Sequence, residues 1–401
     1  MLIQFSVENY LSFKGKTILS LVPSQDKENT GNTAIDGKYS CLKSVAVYGA
    51  NASGKSNLIR AFFTAIMAIR TSNGLQVDSK IPGIIPFKFD KSTQNEPTKF
   101  EFIFTSKGIK YVYGFSATQS VIVDEYLYCY LTSKPTTIFE RSNTNTYKFP
   151  TTNRKELNEL SKRNTANKLF LSTATTWNYE KTKEAFVWFS NSINTFTGYS
   201  GLENIAFDKY ENDKDGNLKK FTNNLLKASD INISNFTFES ELMTKENVKI
   251  TTEHNITDKD GNVINYDLAL QEESLGTQNL FNLSPFLKNA FENGESIIID
   301  EIDTTLHPLL VRYIIDLFHD KEINKNNAQL IFTTHDINLL TLELFRRDQI
   351  YFTEKNNKTG ESDLYSLDEF PVRKTENIRN GYMQGRYGSI PFISGGFDLW
   401  D

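Results

Sequence analysis

The residues from Gly49 to Ser56, GANASGKS, have the types and spacing that hold a nucleotide phosphate. They fit the pattern G-x-x-x-x-G-K-[ST] without a substitution. In this pattern backbone N–H groups cradle phosphate oxygens, the lysine reaches the β- and γ-phosphates, and the final hydroxyl takes one position on Mg²⁺. The alternative is a glycine-rich surface turn. The residues that we expect to contact the nucleotide are Gly49, Asn51, Ala52, Ser53, Gly54, Lys55, Ser56 and Asn57, with Ser56 also a metal ligand.

The flanking residues predict the elements that position this loop. Val45–Tyr48 is apolar and short, as a buried strand is. After the loop, apolar residues recur at the three- and four-residue spacing of a helix with one buried face: Leu58, Ile59, Phe62, Phe63 and Ile66. A strand that turns into a helix at this point favours the phosphate loop over the surface turn, because a helix N-terminus carries about half a positive charge.

A pair of acids follows a second apolar run, in SIIIDEIDTTLHP at 296–308. Ile297–Ile299 predicts a central strand of a parallel sheet, and Asp300 at its end is a candidate Mg²⁺ ligand. Glu301 comes next, where a carboxylate can act as general base toward water. The alternative is a strand that ends in solvated acids.

A third strand is predicted in QLIFTTHD, and it ends at His335. A histidine after a strand is often only a surface or capping residue. Here the order of phosphate loop, acid pair and histidine along the chain favours a sensor of the γ-phosphate. Pro308 suits the first turn of a helix, so His307 is predicted to precede that helix.

Small residues stand before another predicted helix, in the segment QEESLGTQNLF. Ser274, Gly276 and Thr277 would let backbone amides and hydroxyls approach an anion at the helix N-terminus. An ordinary helix cap is the alternative.

The composition indicates a folded globular protein, with 39% apolar and 23% charged residues. The net charge of −5 argues against a surface that is basic enough overall to coat nucleic acid. A local basic patch is compatible with this charge. Cys41 and Cys129 are too few for a disulfide framework or a cysteine metal site, and a reducing cytoplasm fits them. The N-terminus lacks the apolar core of a signal peptide, and no window reaches the length of a membrane span. We therefore expect a cytoplasmic protein without a membrane partner.

The chain is predicted to have three parts. Residues 1–150 resemble an α/β phosphate-binding core with antiparallel strands attached, 151–270 an insertion with short helices and a β-hairpin, and 271–401 the second half of the core. The tetrapeptide DKDG occurs twice, at 213–216 and 258–261, but the flanking residues do not fit a calcium-binding loop. Asp-Gly turns are the better interpretation. Apolar heptads do not persist, so no long coiled coil is expected.

The motifs GANASGKS, ESLGT, IIIDEID with TLHP, and TTHD, in that order, resemble an ABC-type ATPase head of the SMC/RecF-like branch. The opening IQFSVENYLSFKG is similar to the first strand and turn of that branch, where members often carry arginine in place of Leu11. The resemblance implies an α/β fold with a mixed central sheet, an antiparallel β-subdomain and an α-rich insertion. It further implies ATP and Mg²⁺ as cofactors, catalytic roles for Glu301 and His335, and phosphate contacts from Ser274, Gly276 and Thr277. The family's glutamine-bearing loop is not assigned.

The C-terminal stretches RDQIYFTEKN and NGYMQGRYGSIPFI are similar to compact ATP-binding proteins of bacterial phage defence, such as AbiL and the PARIS ATPase component. That resemblance implies an ATPase that forms a homodimer or higher oligomer around ATP and controls a separate effector, with a Toprim or RloB-type nuclease as one candidate. The chain after His335 is too short for a nuclease domain of about 100 residues. The alternative is a RecF-like clamp that binds DNA. A GTPase lacks support because no N-K-x-D motif occurs, and a transporter subunit is disfavoured by the insertion.

Overall fold

The fold is given by a computed structural model, which describes residues 1–199, 201–229, 231–240 and 248–391. The strands, in chain order, are β1 Leu2–Glu8, β2 Thr17–Ser20, β3 Thr33–Asp36, β4 Tyr39–Leu42, β5 Ser44–Gly49, β6 Thr98–Ser106, β7 Ile109–Ala117, β8 Ile122–Tyr130, β9 Thr136–Ser142, β10 Thr146–Lys148, β11 Ile193–Phe196, β12 Asn235–Ser240, β13 Val248–Thr257, β14 Val263–Ala269, β15 Ser296–Ile299, β16 Gln329–Thr333, β17 Ile350–Lys355 and β18 Ser362–Ser366. The helices are α1 Lys55–Thr71, α2 Arg154–Ser161, α3 Phe170–Thr176, α4 Glu180–Asn191, α5 Leu202–Glu211, α6 Asn217–Ala228, α7 Leu275–Asn293, α8 Pro308–His319 and α9 Ile378–Met383.

A six-stranded sheet forms the centre of the molecule, in the order β11-β15-β16-β5-β17-β18. Its strands pair in parallel except for β18, which runs antiparallel to β17. Strands β5, β15 and β16 are buried throughout, as expected for strands covered on both faces. Because successive side chains point to opposite faces, Val45 and Val47 enter one core and Ala46 and Tyr48 the other. The predicted central position of Ile297–Ile299 is confirmed.

A seven-stranded antiparallel sheet covers one side of this centre, in the order β10-β9-β8-β7-β6-β1-β2. Helix α1 lies in the core that the two sheets share, and Phe62 stacks on Phe5 with ring centroids 3.8 Å apart. The antiparallel strands predicted within residues 1–150 are present: β1 pairs with β2, β6 with β7, and β7 with β8. An α/β head with a mixed central sheet and an attached antiparallel subdomain is therefore confirmed.

The segment from 151 to 270 contributes to several parts of the fold. Strand β11 pairs in parallel with β15 and forms one edge of the six-stranded sheet. Helices α5 and α6 contact α7, and β12, β13 and β14 form a three-stranded antiparallel sheet. The predicted hairpin at the second DKDG is β13 and β14, with the turn at Asp258–Gly261. The boundaries of the three predicted domains stay a prediction.

Candidate nucleotide site

The predicted phosphate loop joins the end of β5 to the start of α1, as the sequence pattern requires. Gly54 has φ +124°, a backbone conformation that favours glycine. At Gly49 a Cβ would lie 2.5 Å from both the Ser53 and the Thr353 hydroxyl oxygens, so a larger residue would displace the loop. Each glycine of the motif is thus required for a different steric reason.

Side chains from distant parts of the chain fix the loop. The Ser53 and Thr353 hydroxyls lie 2.5 Å apart and are buried. The Ser362 hydroxyl donates to the Ser53 carbonyl at 2.6 Å. The Asn57 side chain donates to the Ser12 hydroxyl at 2.8 Å, which ties the first turn of α1 to the N-terminal turn. The loop is therefore held from strands β17 and β18 and from the turn after β1.

The Lys55 ammonium lies across the loop and donates to the carbonyls of Gly49 at 2.8 Å and Ala50 at 3.0 Å. A lysine has three N–H donors, so one is left for a phosphate oxygen. Burial lowers the pKa of Lys55 to about 8, while the negative charges of the acid pair and Asp303 oppose this shift. These interactions place the acids near the ammonium.

The acid pair follows β15, and the Thr333 hydroxyl ties its two members together. This hydroxyl donates to Asp300 Oδ1 at 2.5 Å and accepts from the Glu301 backbone N–H at 2.7 Å. Glu301 has φ +50°, which is uncommon for a residue other than glycine and costs about 1–3 kcal/mol where it occurs at functional sites. This positive φ turns the chain sharply after β15, at the second residue of the acid pair.

Serine and aspartate side chains suit a magnesium ion here. Ser56 is half-buried in the first turn of α1, and one Asp300 oxygen, Oδ2, has no hydrogen-bond partner among the described residues. The described residues contain no cluster of three or more His, Cys, Asp or Glu side chains that could hold a metal. Mg²⁺ fits such a sparse set, because it usually keeps several waters and binds through one or two carboxylates plus substrate phosphates.

His335 lies just beyond the end of β16, and its backbone N–H donates to Asp303 Oδ2 at 3.1 Å. Partial burial, followed by the positive charge of Lys55, lowers the pKa of His335, whereas Asp303, Glu301 and Asp300 oppose that shift. The imidazole is therefore neutral at pH 7 and can offer one N–H to a ligand. His335 lines the same cavity of about 1360 Å³ as the phosphate loop residues Gly49–Ser53.

The second predicted phosphate contact lies elsewhere. Ser274 caps α7, and its hydroxyl accepts from the Thr277 N–H at 3.1 Å. A Cβ at Gly276 would lie 2.9 Å from the Thr305 carbonyl oxygen, so this loop packs on the segment after the acid pair. All three residues line a separate cavity of about 910 Å³. The structure thus brings phosphate loop, acid pair and histidine together in one chain and leaves Ser274–Thr277 apart from them.

Residues 44–341 match the protein family described as "AAA domain, putative AbiEii toxin, Type IV TA system". The chain belongs to this AAA-domain family. The match spans all the motifs from β5 to His335, so these motifs lie within an AAA-type ATPase domain.

Solved structures with a similar arrangement share little sequence with this AAA-domain protein. The SMC head domain from Thermotoga maritima is 14% identical, with a TM-score of 0.42 over 91% of this chain and 98% of that one. The Smc head bound to the C-terminal domain of ScpA from Pyrococcus furiosus is 12% identical, with a TM-score of 0.43 over 92% and 97%. The CbiO1 protein of Clostridium perfringens, part of an ABC transporter complex, is 12% identical, with a TM-score of 0.34 over 96% and 97%. No curated protein matches the chain.

Sequence reasoning missed the residues that hold the site together. Thr333 and Asp303 stand inside quoted motifs, but their contacts depend on the register between β15 and β16. Thr353 and Ser362 lie about 300 residues after the loop that they contact, and no local pattern marks them.

Leu11 stands where arginine is frequent in the branch that the sequence resembles. It has φ +49° and donates its N–H to the Ile85 carbonyl at 3.0 Å. None of the described helices has the length and apolar character needed to cross a bilayer.

Proposed function

We propose that this chain is a Mg²⁺-dependent ATPase that dimerises around ATP and controls a separate effector in bacterial anti-phage defence. The observation that carries the ATPase proposal is that the phosphate-loop lysine, the acid pair and His335 lie close enough for their charges to interact. Lys55 lies on the phosphate loop, the acid pair is tied together by Thr333, and a neutral His335 lines the same cavity as the loop residues Gly49–Ser53. This is the set that phosphoryl transfer to water requires: phosphate binding, charge stabilisation and a base.

Each residue has a separate task in the proposed reaction. The loop N–H groups and the Lys55 ammonium bind the β- and γ-phosphates. Ser56 and Asp300 would hold Mg²⁺, which would supply positive charge to offset that of the phosphates. The Glu301 carboxylate orients a water molecule for attack on the γ-phosphate and accepts its proton. His335 donates an N–H to a γ-phosphate oxygen and so distinguishes ATP from ADP.

The dimer proposal is supported by the separation of the two predicted phosphate contacts. Ser274–Thr277 lines a different cavity from the one that the phosphate loop of its own chain lines. A second chain could bring its Ser274 loop to the γ-phosphate of the first. The exposed Leu275 and Leu309 beside that loop, 66% and 71% accessible, fit a surface that another chain covers.

The defence proposal is supported by the family description, which mentions a toxin and a toxin–antitoxin system. The C-terminal stretches similar to AbiL and PARIS components support it further, and Phe392 and Ile393 at the end of the second stretch lie outside the described residues. An effector such as a Toprim or RloB-type nuclease would be a separate chain. Purification from the native cell, followed by identification of the proteins that accompany the chain, tests this part.

The ATPase proposal is tested by steady-state hydrolysis with Glu301→Gln. The amide keeps the shape of the side chain but cannot accept a proton, so turnover should fall by about two to four orders of magnitude while Mg-ATP still binds. Glu322→Gln, at an exposed site outside the cavity, is the matched control and should hydrolyse ATP like the wild type. Unchanged turnover in Glu301→Gln would remove Glu301 from the mechanism, and no ATP binding by the wild type would overturn the proposal.

A further inference from the structure

The large cavity that contains the phosphate loop extends well past the residues that phosphate needs. Its lining includes Lys14, Phe89 and the turn between β17 and β18, in addition to Gly49–Ser53. Phe89 is 72% accessible, the highest value among the large apolar side chains of the described residues. A phenylalanine exposed to this degree inside a ligand-sized cavity calls for a ligand with an apolar face.

The Phe89 ring is positioned by neighbours that line the same cavity. A Cβ on Gly360 would lie 2.5 Å from the ring atom Cδ2, and Gly360 has φ +73°, so only glycine fits against the ring there. The buried Phe87 ring meets Phe89 edge to face, at 81° with centroids 5.8 Å apart. The Lys355 ammonium lies 5.8 Å from the ring centroid. Phe89 is thus preorganised although most of its surface is open.

Ion pairs fix the segments on both sides of this ring. The Lys14 ammonium lies 3.1 Å from Asp90 Oδ2 and 2.9 Å from Glu361 Oε1. Asp90 is the neighbour of Phe89, and Glu361 is the neighbour of Gly360. The lysine therefore joins the two chain segments that meet at the ring.

The same segments reach the phosphate loop. Ser362, next to Glu361, donates to the Ser53 carbonyl and its backbone N–H donates to the Ser12 carbonyl at 2.8 Å. The ring and the phosphate loop are consequently parts of one connected frame. A ligand whose phosphates lie on the loop would have its other end within this frame, toward β17 and β18.

We propose that Phe89 is the stacking platform for the nucleobase, which makes it the residue that distinguishes a nucleoside triphosphate from triphosphate alone. This inference rests on the proposed function, because it takes the loop at Gly49–Ser56 as the phosphate site. Aromatic side chains stack on any base through its π-face, and such contacts account for about 5- to 150-fold in affinity when converted from typical alanine substitutions. Lys14 pairs with both Asp90 and Glu361, and the ring itself offers a base only its π-face, so the platform selects for a planar base and discriminates weakly between adenine and guanine.

The test compares ATP, GTP and inorganic tripolyphosphate by calorimetry on Phe89→Ala, with Phe89→Tyr as the conservative variant. Phe89→Ala should weaken ATP and GTP by about 5- to 150-fold each and leave tripolyphosphate within about threefold. Phe89→Tyr should stay close to the wild type because it retains the aromatic face. Phe63→Ala, an exposed phenylalanine on α1 that does not line the cavity, is the control. Melting temperatures confirm that the variants are folded.

Three results would overturn the platform. Unchanged ATP affinity in Phe89→Ala would show that the base lies elsewhere. An equal loss for ATP and tripolyphosphate would show that Phe89 supports the phosphate loop and does not contact a base. A wild-type protein that binds neither probe would overturn the proposed function and the platform with it, a pattern that differs from the other two.

Discussion

The two loops predicted to contact phosphate are held in different ways. The loop at Gly49–Ser56 is fixed by buried side chains from β17, β18 and the turn after β1, whose positions lie up to about 300 residues away. The loop at Ser274–Thr277 is held by a cap within its own helix and by Glu273, which accepts from Thr252 and His254 at 2.6 and 2.7 Å.

The difference separates a loop that is held by buried, long-range hydrogen bonds from a loop that lies beside an exposed strand. Strand β5 is buried throughout and β17 over its first four residues, whereas β14, which leads to the second loop, is exposed along nearly its whole length. A loop that is fixed by buried, long-range hydrogen bonds opens only when the core around it opens. A loop beside an exposed sheet moves at a lower cost in free energy. We expect nucleotide affinity to depend on the first region and hydrolysis by an assembled protein on both.

The largest effect is expected from Lys55→Ala. The change removes the ammonium that lies over the loop, so ATP affinity should fall by at least about 100-fold. The fold should persist, since the side chain donates only to two loop carbonyls. Calorimetry with ATP gives the affinity, and Lys134→Ala on the exposed β8–β9 turn controls for the loss of a positive charge. Retained affinity would disprove the assignment of the loop.

A pair of threonine variants separates chemistry from binding. Thr333→Val removes the hydroxyl that ties Asp300 to Glu301 and should lower turnover by about 10- to 100-fold with ATP affinity nearly unchanged. Thr353→Val removes the contact to Ser53 and should weaken ATP binding instead. Steady-state rates and calorimetry on both variants give the split. If turnover and ATP affinity changed equally in both variants, the two hydroxyls would serve stability alone.

A smaller effect is expected on the second loop. Glu273→Gln weakens the hydrogen bonds to Thr252 and His254 that fix the residue before Ser274. Turnover should fall by about three- to tenfold, and ATP affinity should not change, because the phosphate loop does not contact this region. Glu272→Gln, whose side chain accepts only from the nearby Ala269 N–H among the described residues, is the neighbouring control. A loss of ATP affinity in Glu273→Gln would show that the two regions are not independent.

The smallest effect concerns pH. The folded-state pKa of Lys55, about 8, lies below its ordinary value of 10.5, so between these values the unfolded chain binds more protons at this site. The contribution of Lys55 to the free energy of unfolding therefore rises from pH 8 to pH 10.5, whereas ATP affinity should fall severalfold as the ammonium is lost. Urea unfolding and calorimetry at pH 7, 8 and 9.5 measure both, and the difference from Lys55→Met isolates this side chain. A wild-type minus Lys55→Met difference that is flat with pH would rule out titration of Lys55 in this range.

Much of the central sheet could be predicted, because its strands are continuous apolar runs and its loops carry strict motifs. Val45–Tyr48, Ile297–Ile299 and the strand before His335 are where the sequence places them. The contacts of Thr353 and Ser362 could not be predicted, because they depend on which strand lies beside β5, and strand order is a property of the whole fold. The pairing of β11 with β15 could not be predicted either, because INTF is a short segment of mixed polarity that follows a helix. Phe89 stands in a loop, where periodicity gives no signal.

The central claim is that two chains share ATP between the phosphate loop of one and the Ser274 loop of the other. The most direct test is the mass of Glu301→Gln by light scattering, with and without Mg-ATP, alone and combined with Ser274→Arg. The account predicts that Mg-ATP converts one chain into two, and that the arginine, placed where the second phosphate contact would form, returns the mass to that of one chain while ATP stays bound. A mass that is indifferent to both nucleotide and Ser274→Arg would contradict the shared site and leave an ATPase whose assembly does not depend on ATP.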